Sequence, residues 1–427
     1  MTTAETAHFN AIVVGGGPAG LAAALALGAT GANVLVLAPP HRAPDGASDN
    51  RTAALFAGSI EFLKNVGLWR GLLADCAPIS AIRIVDDTGR LLRAPELLFS
   101  AADVGLDAFG WNVPNSVLTT CLADAMSFPS FRVRFHPTAG VAHVDLHDRA
   151  RACVTTREGS AFTADLVVGA DGRGSLCRSA AGIETRNWRY PQAALATTFR
   201  HGRPHHGIST EFHRPAGPFT TVPLEGLASS LVWVERPDEA QRLAALDEAA
   251  FRDALDERLM GLLGRVGEIG PRAVFPLAGL TAEAFGRNRV ALVGESGHVI
   301  PPIGAQGLNL GIRGAATLAD CVADALAAGR DIGDAVTLDA YSARRRPDVT
   351  TRIATVDVLN RSLISALAPV HLARGLGLVA LKAFAPLRRL AIREGLEPAS
   401  AAADLLKPGG LDLLAARARG RPRDSAA

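Results

Sequence analysis

Residues 9–14, FNAIVV, form a short, mostly apolar run that leads directly into glycines 15, 17 and 20, spaced G-x-G-x-x-G. LAAALALGATGA follows with helical character, and NVLVL, ending at Leu37, reads as a second strand. Strand, glycine turn, helix and strand within about thirty residues make a βαβ dinucleotide unit. The chemistry dictates the spacing. Gly15 permits the tight turn, Gly17 carries no Cβ to hold a diphosphate away, and Gly20 lets helix and strand pack closely. Pro18 and Ala19 open the helix, whose free N–H groups and positive dipole end face the phosphates. This turn alone does not separate NAD from FAD.

The second strand of such a unit usually ends in Asp or Glu, which holds the adenosine ribose. Here Ala38 stands there, followed by Pro39 and Pro40. Loss of that acceptor costs roughly 1.5–3 kcal/mol unless Arg42 or a backbone group replaces it.

Bulk properties narrow the class. The chain has 427 residues, 48% hydrophobic and 20% charged, which suits more than one packed layer. A net charge of +2 provides no field for nucleic acid. The cysteines at 76, 121, 153, 177 and 321 form no C-x-x-C pair, which argues against a zinc site or a disulfide frame and fits a reducing cytoplasm. No signal peptide and no spanning helix are expected. A cytoplasmic protein follows, with contact at the inner membrane surface as the one extension.

Two later segments repeat the strand-to-glycine-loop pattern. Residues 166–182 read LVVGADGRGSLCRSAAG, and residues 289–313 read RVALVGESGHVIPPIGAQGLNLGIR. In the second, the N–H groups of Gly307, Leu308 and Asn309 open a helix. They can face the negative charge that a reduced flavin carries around N1 and the C2 oxygen.

These three segments, with DNRTAALFAGSIEFLKNVGLW, YPQAALATT and SLVWVERPDEA, resemble the flavoprotein aromatic hydroxylases of the p-hydroxybenzoate hydroxylase type. Among these the chain is most similar to the hydroxylases of ubiquinone biosynthesis, from Asn10 to about Pro398. The resemblance implies FAD as cofactor, with its diphosphate at Gly15, Gly17, Pro18, Ala19 and Gly20. It implies Arg51 near the flavin's sugar chain, and Asp171 and Gly172 at FAD and NAD(P)H. Gly294 and Glu295 would meet the ribityl chain, and Pro302, Gly304, Gly307, Leu308 and Asn309 the ring. Two more positions depart from the pattern besides Ala38. Asn115 stands where many relatives carry a cofactor-contacting arginine, and Glu295 replaces Asp. No catalytic acid or base is assigned.

Other residues admit plainer readings. His298 reads as a hydrogen-bonded structural histidine, and Asp86 and Asp87 as a turn. Trp111, Asn112, Trp188 and Tyr190 suit core packing as well as a substrate pocket. Residues 362–396, apolar and studded with Arg and Lys, read either as a helical cap at an oligomer interface or as a membrane-surface helix pair.

The expected architecture is α/β: a Rossmann-like FAD-binding βαβ domain, a discontinuous mixed-sheet substrate domain and C-terminal helices. The FAD-binding domain takes residues 1–75, 105–185 and 285–345, and the substrate domain 76–104 and 186–284. The helices take 346–405, and a disordered tail 406–427. With one glycine fingerprint, NAD(P)H must bind transiently as a co-substrate. The expected activity is an NAD(P)H- and O2-dependent monooxygenase acting on an aromatic, prenylated quinone precursor. An FAD-dependent isoprenoid reductase, or a non-catalytic FAD-binding component of a quinone-synthesis complex, stays open.

Overall fold

The computed structural model describes residues 7–40, 51–89, 95–365, 368–396 and 403–420. A parallel sheet carries the first strand, His8–Val14, at its centre. In spatial order it runs Val133–Pro137, Val34–Ala38, His8–Val14, Ala161–Gly169 and Val290–Leu292. The order reverses between His8–Val14 and Ala161–Gly169, the place where doubly wound sheets open a crevice beyond their carboxyl ends.

Alternation explains why these runs are mostly apolar. Ala11, Val13, Val34 and Val36 face one core, and Ile12, Val14, Leu35 and Leu37 face another. Both faces are covered, so each of these eight positions is buried. On the first face lie the helices Pro18–Gly28 and Gln306–Ala327. On the second lie the antiparallel strands Val141–Asp145 and Ala152–Thr156. A fully buried Ile12 contributes roughly 2 kcal/mol.

A second, nine-stranded sheet contains Ala81–Asp86, Ile208–His213 and Ala228–Glu235. Its longest strand, Thr185–His201, is bulged between Arg189 and Ala193. Phe199, Phe219, Trp233 and Phe251 pack beneath it. A three-stranded sheet of Thr52–Phe56, Gly110–Pro114 and Ala77–Ile79 lies between these units in sequence.

Trp188 and Tyr190 join the second sheet to the long helix Ala335–Ile364. The Trp188 indole donates to Tyr190 Oη at 2.7 Å, and Tyr190 donates to Asp357 at 2.6 Å. Burial, then the Asp357 bond, pushes the phenol up to about 12, so it stays protonated. These aromatics form a clasp between elements.

The tail expected to lack structure beyond residue 406 is instead ordered through Gly420. Gly410–Ala418 is a helix with Leu414 fully buried. Arg417 explains the difference: it donates to Asp404 and Asp324, each at 2.8 Å. As sequence, Arg417 was one of several scattered arginines. Residues 421–427 lie outside the described residues.

Arg417 and Asp404 form a second clasp over Asp320, which accepts from Asp404 N at 3.3 Å and lies 3.8 Å from Arg417. Burial, then the neighbouring Asp404, raises the Asp320 carboxyl to about 6. The native state therefore holds a proton that the unfolded chain releases near pH 4, and this stabilisation fades as pH rises through about 6. Asp320→Asn should accordingly gain thermal stability relative to the unmodified chain between pH 5 and pH 7, as melts at the two pH values would read. An advantage that shrinks with rising pH would contradict this.

Candidate functional site

The three glycine loops meet because their strands end together. Val14 pairs with Gly169, and Gly169 with Leu292, so Gly15, Ala170 and Val293 follow side by side at the carboxyl edge. Polar bonds stitch the loops. Ser296 Oγ donates to Gly169 O at 2.5 Å. Arg178 donates to Ser296 O at 2.8 Å and to Arg173 O at 2.9 Å.

The first loop fits a diphosphate. Gly15 adopts φ +121°, and a Cβ there would lie 2.2 Å from Ala170 O. A Cβ on Gly20 would lie 2.2 Å from Gly15 O. By contrast, a Cβ on Gly17 would meet nothing within 4 Å, so this backbone faces open space. Helix Pro18–Gly28 begins there with no side-chain cap and no acid in its first turn. Its N–H groups and dipole are left for an anion from outside the chain.

The helix Gln306–Ala327 starts the same way. Ala305 precedes it in the left-handed region at φ 52°, with no side-chain cap and no acid in the first turn. Ala19, Gly294 and Gly311 are small where the two helix starts approach: a Cβ on Gly294 or Gly311 would come within 2.9 or 3.1 Å of Ala19 Cβ. Small side chains thus bring two positive helix ends to one place.

The other expected positions fall into two groups. Arg51 and Asn115 are brought together, since Asn115 N donates to Arg51 O at 3.0 Å. The Arg51 guanidinium lies 5.5 Å from the Phe275 ring centroid. Asn115 Oδ1 is buried with no hydrogen-bond partner among the described residues. Gly172, in the left-handed region, has open space around it. Pro302 and Gly304 lie in the turn before Ala305, and Gly307 and Leu308 in the first helical turn.

Asp171, Glu295 and Asn309 are engaged within the protein. Asp171 accepts from Ser175 Oγ at 2.6 Å and Cys177 N at 3.1 Å, so it braces the start of the short helix Leu176–Ala180, whose N-cap is Ser175. Glu295 is exposed and pairs with Arg173 at 3.1 Å. Such a pair is worth under about 1 kcal/mol, and Glu295→Gln should leave the melting temperature within about 2 °C. Asn309 is fully buried and makes four bonds. Its Oδ1 accepts from Phe56 N and Ser59 Oγ, and its Nδ2 donates to Ala54 O and Ala305 O, all at 2.8–2.9 Å. It braces the helix start against the strand that follows Arg51.

His298 is buried beside Gly307. Burial first, then the charge of Arg345, drives its ring down to about 3, so it is neutral at working pH and suited to packing rather than proton transfer. A group that sequence reasoning missed lies behind it: Arg313, Asp348 and Arg345, all buried. No signal in the chain joins residues 313 and 348 before the helices pack. Arg42, weighed as a substitute at Ala38, lies outside the described residues. Among the described residues no cluster could hold a metal.

Comparison with known proteins gives consistent matches. Residues 8–355 match the family model described as FAD binding domain. The chain is 35% identical over 389 residues to the ubiquinone hydroxylase UbiL of Rhodospirillum rubrum, covering 91% of this chain and 89% of that protein. It is 29% identical over 392 residues to the 3-demethoxyubiquinol 3-hydroxylase of Escherichia coli, covering 90% and 97%. Among solved structures, p-nitrophenol 4-monooxygenase PnpA from Pseudomonas putida superposes with TM-score 0.68 at 21% identity, over 98% of this chain and all of that one. Klebsiella pneumoniae HpxO, complexed with FAD and uric acid, gives 0.69 at 18% identity, over 90% and 96%.

Proposed function

Since the chain belongs to the FAD-binding-domain family of flavoprotein monooxygenases, we propose that it hydroxylates the aromatic ring of a prenylated precursor of ubiquinone. The observation that carries this reading is the shared carboxyl edge of Val14, Gly169 and Leu292, with two uncapped helix starts aimed at it. The substrate class rests on identity to ubiquinone hydroxylases along nine-tenths of the chain.

Bound FAD supplies the redox chemistry: it accepts hydride from NAD(P)H and activates O2. The chain's own groups bind, orient and exclude water. Backbone N–H groups after Gly17 hold the diphosphate. Arg51, with Asn115 bonded to its backbone, would meet the sugar chain. The N–H groups at Gly307 and Leu308 face negative charge on the ring. Asp171 and Asn309 act at one remove, by fixing the loops.

Phenolic or prenylated ring compounds should accelerate NAD(P)H oxidation, with one atom of labelled O2 recovered in the product. NAD(P)H oxidation coupled to saturation of an isoprenoid double bond, without oxygen in the product, would overturn the hydroxylase reading. Bound FAD with no turnover on any ring compound would favour a binding component of a larger assembly.

The substrate's tail also suggests where the protein works. No helix among the described residues is long and apolar enough to cross a membrane. Yet Leu376, Val379, Phe384, Leu387 and Leu390 are exposed along Ala368–Ala383 and Ala385–Leu396, with Lys382 and Arg389 exposed beside them. Apolar side chains flanked by basic ones suit the surface of an anionic bilayer. The double variant Leu376→Glu/Leu390→Glu should lose at least about tenfold in binding to vesicles of anionic phospholipid. Unchanged binding would assign this face to a protein interface.

A further inference from the structure

We propose that Arg313, Asp348 and Arg345 form a positioning charge for the cofactor: a fixed net positive charge, buried behind the helix start at Gln306, that favours the reduced, anionic flavin. The proposal rests on the reading that this helix start faces the flavin ring.

The geometry is closed on every side. Arg313 donates to both oxygens of Asp348, at 3.0 and 3.1 Å. Arg345 donates to Asp348 at 2.7 Å and to Leu310 O at 3.2 Å, one helical turn from Gln306. The three side chains are 3–5% exposed. Two guanidiniums share one carboxylate, leaving one positive charge in excess. Neither guanidinium can shed its proton at any working pH. Burial alone would raise the Asp348 carboxyl, but Arg345 and then Arg313 hold it at about 2, so the trio's charge is constant.

Such an arrangement is expensive as mere glue. Burying ions carries a large desolvation cost, and apolar residues of like volume would often serve stability as well. Pro347, inside helix Ala335–Ile364, directly precedes Asp348.

The field also reaches the candidate site. His298, buried near the Gly307 backbone, has its ring held neutral by burial first and by the Arg345 charge second. Its Nε2 has no hydrogen-bond partner among the described residues. The imidazole therefore adds no charge of its own, and the positive potential at Gly307 comes from the guanidiniums and the helix start. A low-dielectric path makes one unit charge over one or two helical turns worth roughly tenfold in the ratio of reduced to oxidised cofactor affinity.

Charge variants of opposite sign provide the test, read as the two-electron midpoint potential of the FAD-loaded, full-length protein. Arg345→Gln removes the excess charge and should lower the potential by about 30 mV for a tenfold effect. Asp348→Asn adds to it, keeps an acceptor for Arg313, and should raise the potential by a similar amount. Arg345→Met/Asp348→Leu deletes a neutral pair and should leave the potential near the unmodified value. Packing damage has no reason to change sign with charge. Shifts in one direction for both single variants, or no shift in either with FAD bound, overturn the proposal alone. An unmodified protein that binds no FAD overturns the cofactor reading and the proposal with it.

Discussion

Gly15→Ala is expected to leave the protein without FAD, and much of it without a fold. At φ +121° an alanine pays strain of about 1–3 kcal/mol. Its Cβ would also lie 2.2 Å from Ala170 O, a backbone atom with nowhere to rotate. Relief requires pulling the first strand's end away from the Ala161–Gly169 strand, which breaks the edge that brings the loops together. The combined cost exceeds about 3 kcal/mol, and FAD affinity should fall at least about a hundredfold. Titration of apoprotein by flavin fluorescence quenching, with a melt alongside, measures both. Gly17→Ala is the informative contrast. Its Cβ meets no protein atom within 4 Å. The melt of the apoprotein should stay close to that of the unmodified chain while FAD affinity still falls. Equal FAD affinity in Gly17→Ala would remove the diphosphate from this loop.

Asn309→Ala should cost about 3–5 kcal/mol and lower the melting temperature by about 3–6 °C in a chain of this length. The reason is how many partners it abandons inside the core. Phe56 N, Ser59 Oγ, Ala54 O and Ala305 O each lose a bond within a site closed to water. Asn309→Asp is nearly isosteric yet should be no better. A carboxylate still accepts from Phe56 and Ser59, but it turns an oxygen toward two carbonyls that need a donor. Hydrogen exchange should localise the damage to residues 52–56 and the first turn after Ala305. A melt within about 2 °C of the unmodified chain would show that water replaces the brace.

The parts of this molecule that were legible in the sequence follow from local rules. Mostly apolar runs identified the central strands because both sheet faces are covered, and glycines at fixed spacing identified the loops because backbone must come close there. The same locality explains what was hidden. Asn309 looked like one more residue of a cofactor loop, because nothing in GLNLG reveals that its amide is consumed by a strand 250 residues away in sequence. Asp171 looked like a ligand group, yet it braces the start of the short helix that follows it. The Arg313–Asp348–Arg345 trio and the Arg417 clasp exist only after helices pack, so charge patterning along the chain left both unmarked. Position 38 shows the opposite case: the missing carboxylate was plain in the sequence, and Ala38 is fully buried at the strand end.

The shared carboxyl edge also imposes an order of events on synthesis. Its three strands leave the ribosome as residues 8–14, 161–169 and 290–292, and the Asn309 brace follows later still. A nascent chain halted near residue 285 would own the complete glycine fingerprint and have no third wall to close the cleft. Cofactor capture is therefore a late event, completed only when most of the polypeptide has emerged, and the unfilled crevice must survive until then on the packing of its first two strands.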